Sequence, residues 1–156
     1  MLRRESAEPE RIGPDAFVGP PLEWSPDPAF LLVQQMRPRK LALLSLADRT
    51  SSQWLQTPFR EAGARFSPDG RWLAYAADVT GAWEVWVRPY PGPGEPVRVS
   101  PEGGRKPTWS HDGREIFYRG LVDGQPTMMA AMVRVAPEFA VISRRALFPV
   151  AEYVPT

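Results

Sequence analysis

The stretch Phe66-Ser67-Pro68-Asp69-Gly70 decides the fold, because the chain repeats it at a near-constant interval. The two other copies are Trp24-Ser25-Pro26-Asp27 and Trp109-Ser110-His111-Asp112-Gly113. The aromatic residues that open the three copies lie 42 and then 43 positions apart. A period of about forty residues, with an aromatic residue followed by a turn, indicates stacked supersecondary units, most often the blades of a propeller.

The middle copy predicts a tight turn between two strands. Pro68 presets φ, Asp69 can bond the backbone two residues further on, and Gly70 accepts a positive φ. Around the middle copy we expect strands at 72–76, 83–88 and 96–100. Around the third copy we expect strands at 108–109, 115–118, 128–133 and 146–148.

The first copy departs from the pattern at its fifth position. Pro28 stands where the other copies have glycine, and proline cannot adopt a positive φ. This turn must therefore differ from the other two. Apolar runs at 30–33, 41–46 and 54–55 still lie where the strands of a repeat belong.

These patterns predict an all-β chain of three four-stranded antiparallel blades, which is a partial β-propeller. No stretch shows helical apolar spacing over ten residues, and 19 prolines also argue against helices. We expect a flexible tail at 1–15 and propeller over 16–156. The predicted blades are about 20–57, 58–100 and 101–150.

Composition excludes several function classes. The net charge is +1 without a basic stripe, so nucleic acid is not an expected partner. The chain has no cysteine and one histidine, which cannot fill a zinc site. No signal peptide or membrane-spanning run is present, so a cytoplasmic location is the default expectation. A periplasmic or extracellular location is expected instead if the chain belongs to a longer gene product.

The repeats resemble those of the TolB-like β-propellers, which are relatives of the WD-repeat propellers. Three stretches carry the resemblance, strongly over 59–150 and weakly over 22–58. They are 66–75 (FSPDGRWLAY), 84–92 (EVWVRPYPG) and 109–118 (WSHDGREIFY). The sequences of these three stretches look most similar to those of the propeller that follows the kinase domain in some bacterial serine/threonine protein kinases. None of the kinase signatures is present, so kinase activity does not carry over.

The resemblance implies a ring of six blades, whereas the sequence predicts three. An open arc leaves an apolar face at each end, and such faces mark association. Since the blades repeat, both end faces are expected to be chemically similar to the internal faces, so that two copies could close a ring by pairing the first blade of one with the third blade of the other. We therefore expect a protein partner, or a second copy that completes the propeller.

The residues singled out by the repeats are interpreted as structural. Aspartates at equivalent positions could bind Ca²⁺, but local bonds to backbone amides are the better account. His111 lies beside Ser110 and Asp112, yet sequence neighbours on a tight turn rarely form a triad. We therefore expect no catalytic residue, no cofactor and no metal. The predicted structural turn residues are Asp27, Ser67, Pro68, Asp69, Gly70, Ser110, Asp112 and Gly113.

The tryptophans and methionines are expected to fill the core between blades. Trp54 and Trp83 are the two tryptophans expected to be most exposed. Met128, Met129 and Met132 are expected to be core residues on one strand. The proline-rich stretch 89–94 is interpreted as a connecting loop.

Three functions are compatible with this sequence. The first is a non-enzymatic module for protein interaction or ligand sensing. The second is the sensor portion of a bacterial serine/threonine protein kinase whose catalytic domain lies elsewhere. The third is the gating propeller of a prolyl-oligopeptidase-like hydrolase. Fold alone does not choose between them.

Overall fold

Every regular element in the described part of the chain is a β-strand. The computed structural model describes residues 20–151, and within them it contains twelve strands and no helix. The strands form three separate four-stranded antiparallel sheets, each built from consecutive strands. This architecture confirms the prediction of three blades. None of the described residues forms a helix long and apolar enough to cross a membrane.

The first blade is a meander in which each strand pairs with the next. Leu32 and Leu41 face the second blade, while their neighbours Val33 and Ala42 face away from it, because side chains alternate along a strand. Its strands are β1 (Pro21–Trp24), β2 (Phe30–Met36), β3 (Arg39–Ser45) and β4 (Ser51–Gln53).

The second blade lies between the other two and is buried on both faces. Leu73 and Tyr75 pack against the first blade, whereas Ala74 and Val85 pack against the third. Because both of its faces are buried, the second strand of this blade is a continuous apolar run in the sequence. The strands are β5 (Glu61–Phe66), β6 (Trp72–Ala77), β7 (Glu84–Pro89) and β8 (Val97–Arg98).

The third blade packs one face onto the second. Ile116, Tyr118 and Val133 lie in that shared core, and Phe139 packs against Trp72 and Trp109. The strands are β9 (Arg105–Trp109), β10 (Glu115–Val122), β11 (Gln125–Arg134) and β12 (Ala140–Pro149).

A buried polar network joins the first blade to the second. The Gln34 side-chain amide donates to the Glu61 carbonyl oxygen at 2.8 Å, and the Leu41 amide donates to Glu61 Oε2 at 3.2 Å. Lys40 Nζ lies 3.9 Å from Glu61 Oε1. Because Glu61 is buried, these contacts are needed to satisfy its polar atoms.

The fourth strands differ most from the sequence expectation. The first blade ends with Ser51–Gln53 instead of 54–55, although the Trp54 amide still donates to the Leu41 carbonyl oxygen at 3.1 Å. In the second blade Val97–Arg98 is shorter than the predicted 96–100. In the third blade Ala140–Pro149 is far longer than the predicted 146–148. Polar or exposed edge strands carry a weak apolar pattern, which explains these errors.

Two predictions about core residues are wrong. The most exposed tryptophan is Trp24, with 58% of its surface accessible, whereas Trp54 and Trp83 are half-buried. Met129 packs against the core as predicted, but Met132 is 43% exposed.

Candidate functional site

The three repeated turns meet at one end of the arc. The three repeated turns, residues 25–28, 67–70 and 110–113, are here called the turn end. Its residues 25–26, 67–70 and 110–111 line a cavity of about 680 Å³ together with adjoining residues of β1, β5 and β9. The adjacent strands β1, β5 and β9 place the turns side by side. The repeat that decides the fold therefore also builds one continuous surface from all three blades.

The middle turn is held by the residues predicted for it. Ser67 Oγ donates to Asp69 Oδ1 at 2.6 Å, and the same Oδ1 accepts the Arg71 amide at 3.1 Å. The Gly70 amide donates to the Ser67 carbonyl oxygen at 2.9 Å, with φ of +72° at the glycine. Pro68 is exposed at the tip of the turn.

The third turn repeats this geometry residue for residue. Ser110 Oγ donates to Asp112 Oδ1 at 2.7 Å, and that oxygen accepts the Arg114 amide at 3.0 Å. The Gly113 amide donates to the Ser110 carbonyl oxygen at 3.0 Å. His111 is exposed in the place of Pro68.

The first turn keeps only part of the pattern. Asp27 Oδ1 still accepts the amide two residues further on, from Ala29 at 3.0 Å. Pro28 has no amide hydrogen, so the turn closes with the Phe30 amide donating to the Asp27 carbonyl oxygen at 3.1 Å. The proline thus changes the turn in the way that its missing N–H requires.

The second and third turns each lie against the turn of the preceding blade. An added Cβ at Gly70 would lie 2.8 Å from Pro26 Cγ, which is too close for a carbon contact. At Gly113 an added Cβ would lie 3.5 Å from Pro68 Cδ, an ordinary contact distance. The glycine at position 70 therefore makes room for Pro26, whereas the space beside Pro68 would accept a Cβ at position 113.

Two hydrogen bonds cross the blade boundaries at this end. The Phe66 amide donates to Glu23 Oε2 at 2.7 Å, and Trp109 Nε1 donates to the Arg65 carbonyl oxygen at 3.1 Å. Glu23 could not be predicted from the sequence, because a single acidic residue before an aromatic residue has no distinctive pattern. The hydrogen bond of Trp109 to the neighbouring blade was not predicted either.

Hydrogen bonds dominate the acidity of the turn carboxylates. Desolvation raises the pKa of Asp69, but the Ser67 hydroxyl and the Arg71 amide lower it more, so its pKa lies below 3.8. The pKa of Asp112 is lowered by the Ser110 hydroxyl and the Arg114 amide. Among residues 20–151 no group of three histidine or acidic residues is arranged to hold a metal ion.

The neighbouring Ser110, His111 and Asp112 do not form a nucleophile with its base. The Ser110 hydroxyl donates to Asp112 and accepts the Glu115 amide at 2.9 Å, so both of its contacts serve the turn. A serine nucleophile needs its hydroxyl to donate to the base. The arrangement at 110–112 is that of a turn.

The second surface of interest is the outer face of the third blade, defined here by Phe117, Met132, Ile142 and Phe148. These side chains alternate with those that pack on the second blade, so they face away from it. Ile142 is 56% exposed and Phe148 is 55% exposed. This blade therefore presents an apolar sheet face to solvent.

The outer face of the first blade is different. Val33, Ala42 and Leu44 point away from the second blade, yet all three are buried. The expectation of an exposed apolar face at each end of the arc is therefore wrong for the first blade. Only the third blade has a strongly exposed apolar face among the described residues.

Solved structures with the same architecture identify the fold. The crystal structure of TolB from Acinetobacter baumannii matches 87% of this chain with a TM-score of 0.67 at 19% sequence identity. A TolB-designated protein from Agrobacterium tumefaciens matches 87% of the chain with a TM-score of 0.62 at 18% identity. No protein-family model matches the sequence, and neither does any curated protein.

The chain is a partial β-propeller. Its blades have the TolB-like fold that the repeats predicted. The matched region spans 33% of the Acinetobacter protein and 52% of the Agrobacterium protein. The chain thus corresponds to a part of each of these propeller proteins.

Proposed function

We propose that the chain is a non-catalytic propeller module that binds a protein partner through the outer face of its third blade. The observation that carries this proposal is the exposure of Ile142, Phe148 and Met132 on one sheet face. Large exposed apolar patches on soluble domains mark interaction sites. The turn end adds a second polar surface, but its side chains are occupied by local hydrogen bonds.

The packing inside the chain indicates what this face binds. The inner face of the same blade packs Ile116, Ala131 and Val133 against Ala74 and Val85 of the second blade. A sheet face of this shape and composition is therefore complementary to another blade. The occupant that we propose is a four-stranded sheet of the same type, and a second copy of this chain supplies one.

The two end faces limit how a second copy can bind. Closing a ring would require the outer face of the first blade, where Val33 and Leu44 are already buried. A pair formed by two third blades requires no change there. Such a pair has two-fold symmetry, in which the same patch is used by both copies. We therefore propose association through the third blade instead of the ring closure expected from the repeats.

An ion pair helps to orient the contact. Arg145 and Glu115 form a salt bridge on this face, beside Met132. The arginine is half-exposed, so the pair adds little stability by itself. A partner sheet that covers it must accommodate this charged pair, which restricts the register of the contact.

Light scattering on a size-exclusion column tests the proposal. The wild-type chain should show a mass that rises with concentration from 17.5 kDa toward twice that value. Ile142→Arg and Phe148→Arg should remain monomeric, because a charge cannot be buried in the contact without a partner. Val79→Arg is the control, since Val79 is an exposed loop residue outside this face. A wild-type chain that stays monomeric at every concentration contradicts the proposal.

The more specific functions remain predictions. A sensor role beside a kinase and a gating role beside a hydrolase each require a catalytic domain, and no residue contact favours either. The cellular compartment is likewise a prediction. The gene sequence on both sides of this chain is the observation that distinguishes these cases.

A further inference from the structure

Three arginines converge on one tryptophan at the end of the arc opposite to the turn end. The guanidinium carbons of Arg39, Arg60 and Arg105 lie 5.9, 5.4 and 4.8 Å from the centre of the Trp83 ring. Arg39 begins β3, Arg60 precedes β5 and Arg105 begins β9. The three blades thus each contribute one cation to a single cluster.

The backbone fixes the position of the tryptophan in this cluster. The Gly104 amide donates to the Trp83 carbonyl oxygen at 2.9 Å, which ties the start of the third blade to the second. Arg60 is held by Asp78, whose carboxylate accepts its Nε and its backbone amide, each at 2.7 Å. The cluster is therefore organised by hydrogen bonds that do not involve Arg39 or Arg105.

The positive charge of the cluster is only partly balanced. Asp78 pairs with Arg60, whereas Arg39 and Arg105 form no ion pair with any residue in the described range 20–151. Burial lowers the pKa of Arg105, and the nearby Arg39 and Arg60 lower it further. Converging like charges repel, and the Trp83 ring offsets part of this repulsion through its cation–π contacts. The guanidinium donors of Arg39 and Arg105 are not engaged by any carboxylate among residues 20–151, so they are available to an anion.

A cavity lies beside these cations. Its volume is about 230 Å³, and it is lined by Arg39, Trp83, Arg105 and Lys106 together with the small residues Ala62 and Gly63. An anion in this cavity would meet cationic side chains from two blades at once.

We propose that this cavity binds an oxyanion, either a phosphate or a carboxylate group. Guanidinium groups present paired N–H donors whose geometry matches both groups, and such charge-assisted hydrogen bonds are strong. The source is a free small anion or an acidic side chain of a bound peptide. The site does not depend on the proposed partner contact, because none of its residues lies on the outer face of the third blade.

Calorimetric titration tests the site with two probes at matched ionic strength. The first is inorganic phosphate, and the second is a short blocked peptide of alternating glutamate and glycine. The wild-type chain should bind at least one of them. Arg39→Gln and Arg105→Gln should each weaken that binding by about tenfold or more, because each removes a charged donor.

Arg134→Gln is the matched control, since Arg134 is an exposed arginine on β11 outside the cavity. It should change the affinity by less than about twofold, as expected for a distant surface charge. Binding of phosphate identifies a free anion as the source, and binding of the peptide alone identifies an acidic segment. Failure of both probes to bind, or binding that Arg105→Gln leaves unchanged, would overturn the proposal.

A thermal melt separates binding from a purely structural role. In buffer without an added anion, Arg105→Gln should melt close to the wild-type temperature, because it relieves repulsion from Arg39 and Arg60 but loses the contact with the Trp83 ring. The anion should then raise the melting temperature of the wild type but not that of the variant. A variant that melts lower without the anion and still responds to it would contradict the site.

Discussion

Gly70 lies directly against Pro26 of the preceding blade, and an added Cβ would approach Pro26 Cγ to 2.8 Å. The contact joins two copies of the same turn, so one residue of each repeat fits against its neighbour. This relationship explains why the turn sequence carries information about blade stacking as well as about the local backbone.

The glycine series tests this contact. Gly70→Ala should destabilise the chain by about 1 to 3 kcal/mol, from backbone strain together with the clash. Gly81→Ala is the control, because Gly81 also has a positive φ, +91°, but has no atom within 4 Å of an added Cβ. Gly113→Ala should resemble the control. Urea unfolding measures all three, and equal losses at Gly70 and Gly81 would show that Pro26 is not in contact.

The tryptophan of the third repeat provides a hydrogen bond across a blade boundary. Trp109→Phe should lower the free energy of unfolding by about 1 kcal/mol, because the Arg65 carbonyl oxygen loses its donor while an aromatic ring remains. Trp24→Phe is the matched variant in the first repeat, where the ring is 58% exposed. It should change the stability little. A reversed order in chemical unfolding would contradict the assignment of Trp109.

The buried Glu61 should make stability depend on pH. Burial raises its pKa above the usual 4.5, so folding favours the protonated form. Stability relative to Glu61→Gln should therefore increase as the pH falls from neutral through the folded pKa, and the increase should end near 4.5. Glu95→Gln, in an exposed loop, is the control. A difference between wild type and Glu61→Gln that is constant from pH 7 to about pH 4.5 would refute this prediction.

The Asp69 carboxylate changes stability with pH in the opposite direction to Glu61, and it does so at lower pH. The folded pKa of Asp69 is lowered below 3.8, so the carboxylate contributes stability that is present above that value and lost as the pH falls through the folded pKa. Asp69→Ala should remove this acid-dependent part and destabilise the chain at neutral pH by about 1 kcal/mol, since two turn hydrogen bonds are lost. Thermal melts from pH 7 down to about pH 2 measure both effects. If Asp69→Ala loses as much stability at acid pH as the wild type does, Asp69 is not the origin of that loss.

The purified chain should show neither hydrolase nor kinase activity. The Ser110 hydroxyl is directed to Asp112 and the Glu115 amide, so it has no activating base. Ester and peptide hydrolysis and phosphoryl transfer from ATP are the assays, with His111→Ala beside the wild type. Activity that is retained in His111→Ala would show that other residues of the chain catalyse the reaction. Activity that is present in the wild type but lost in His111→Ala would identify a catalytic site at 110–112.

The sequence predicted the parts of the fold that rest on local rules. The turns at Ser67 and Ser110 follow from residues whose backbone preferences are strong, and the strands next to them follow from apolar runs. The extents of the edge strands were harder to predict. Ser51–Gln53 is polar, and in Ala140–Pro149 the polar residues 143–145 separate two apolar stretches, so neither strand has one continuous apolar pattern.

The surfaces proposed for binding depend on contacts between blades, which no single repeat reveals. Arg39, Arg60 and Arg105 lie in three different repeats, and each alone resembles an ordinary surface arginine. Ile142 and Phe148 are apolar and would be expected in a core. They are exposed because none of the described residues packs on that face of the third blade. The burial of Val33 and Leu44 on the first blade could not be predicted either, because an open arc of three blades is expected to expose an apolar face at each end.

The central claim is that a three-blade arc associates through the outer face of its third blade. Hydrogen exchange measured by mass spectrometry at low and high protein concentration tests it most directly, because burial of a sheet suppresses its local opening. The amides of Ala140–Pro149 should exchange more slowly at high concentration, and those of Phe30–Met36 should exchange at the same rate in both samples. Exchange at Ala140–Pro149 that is independent of concentration, or new protection confined to Phe30–Met36, would contradict the account.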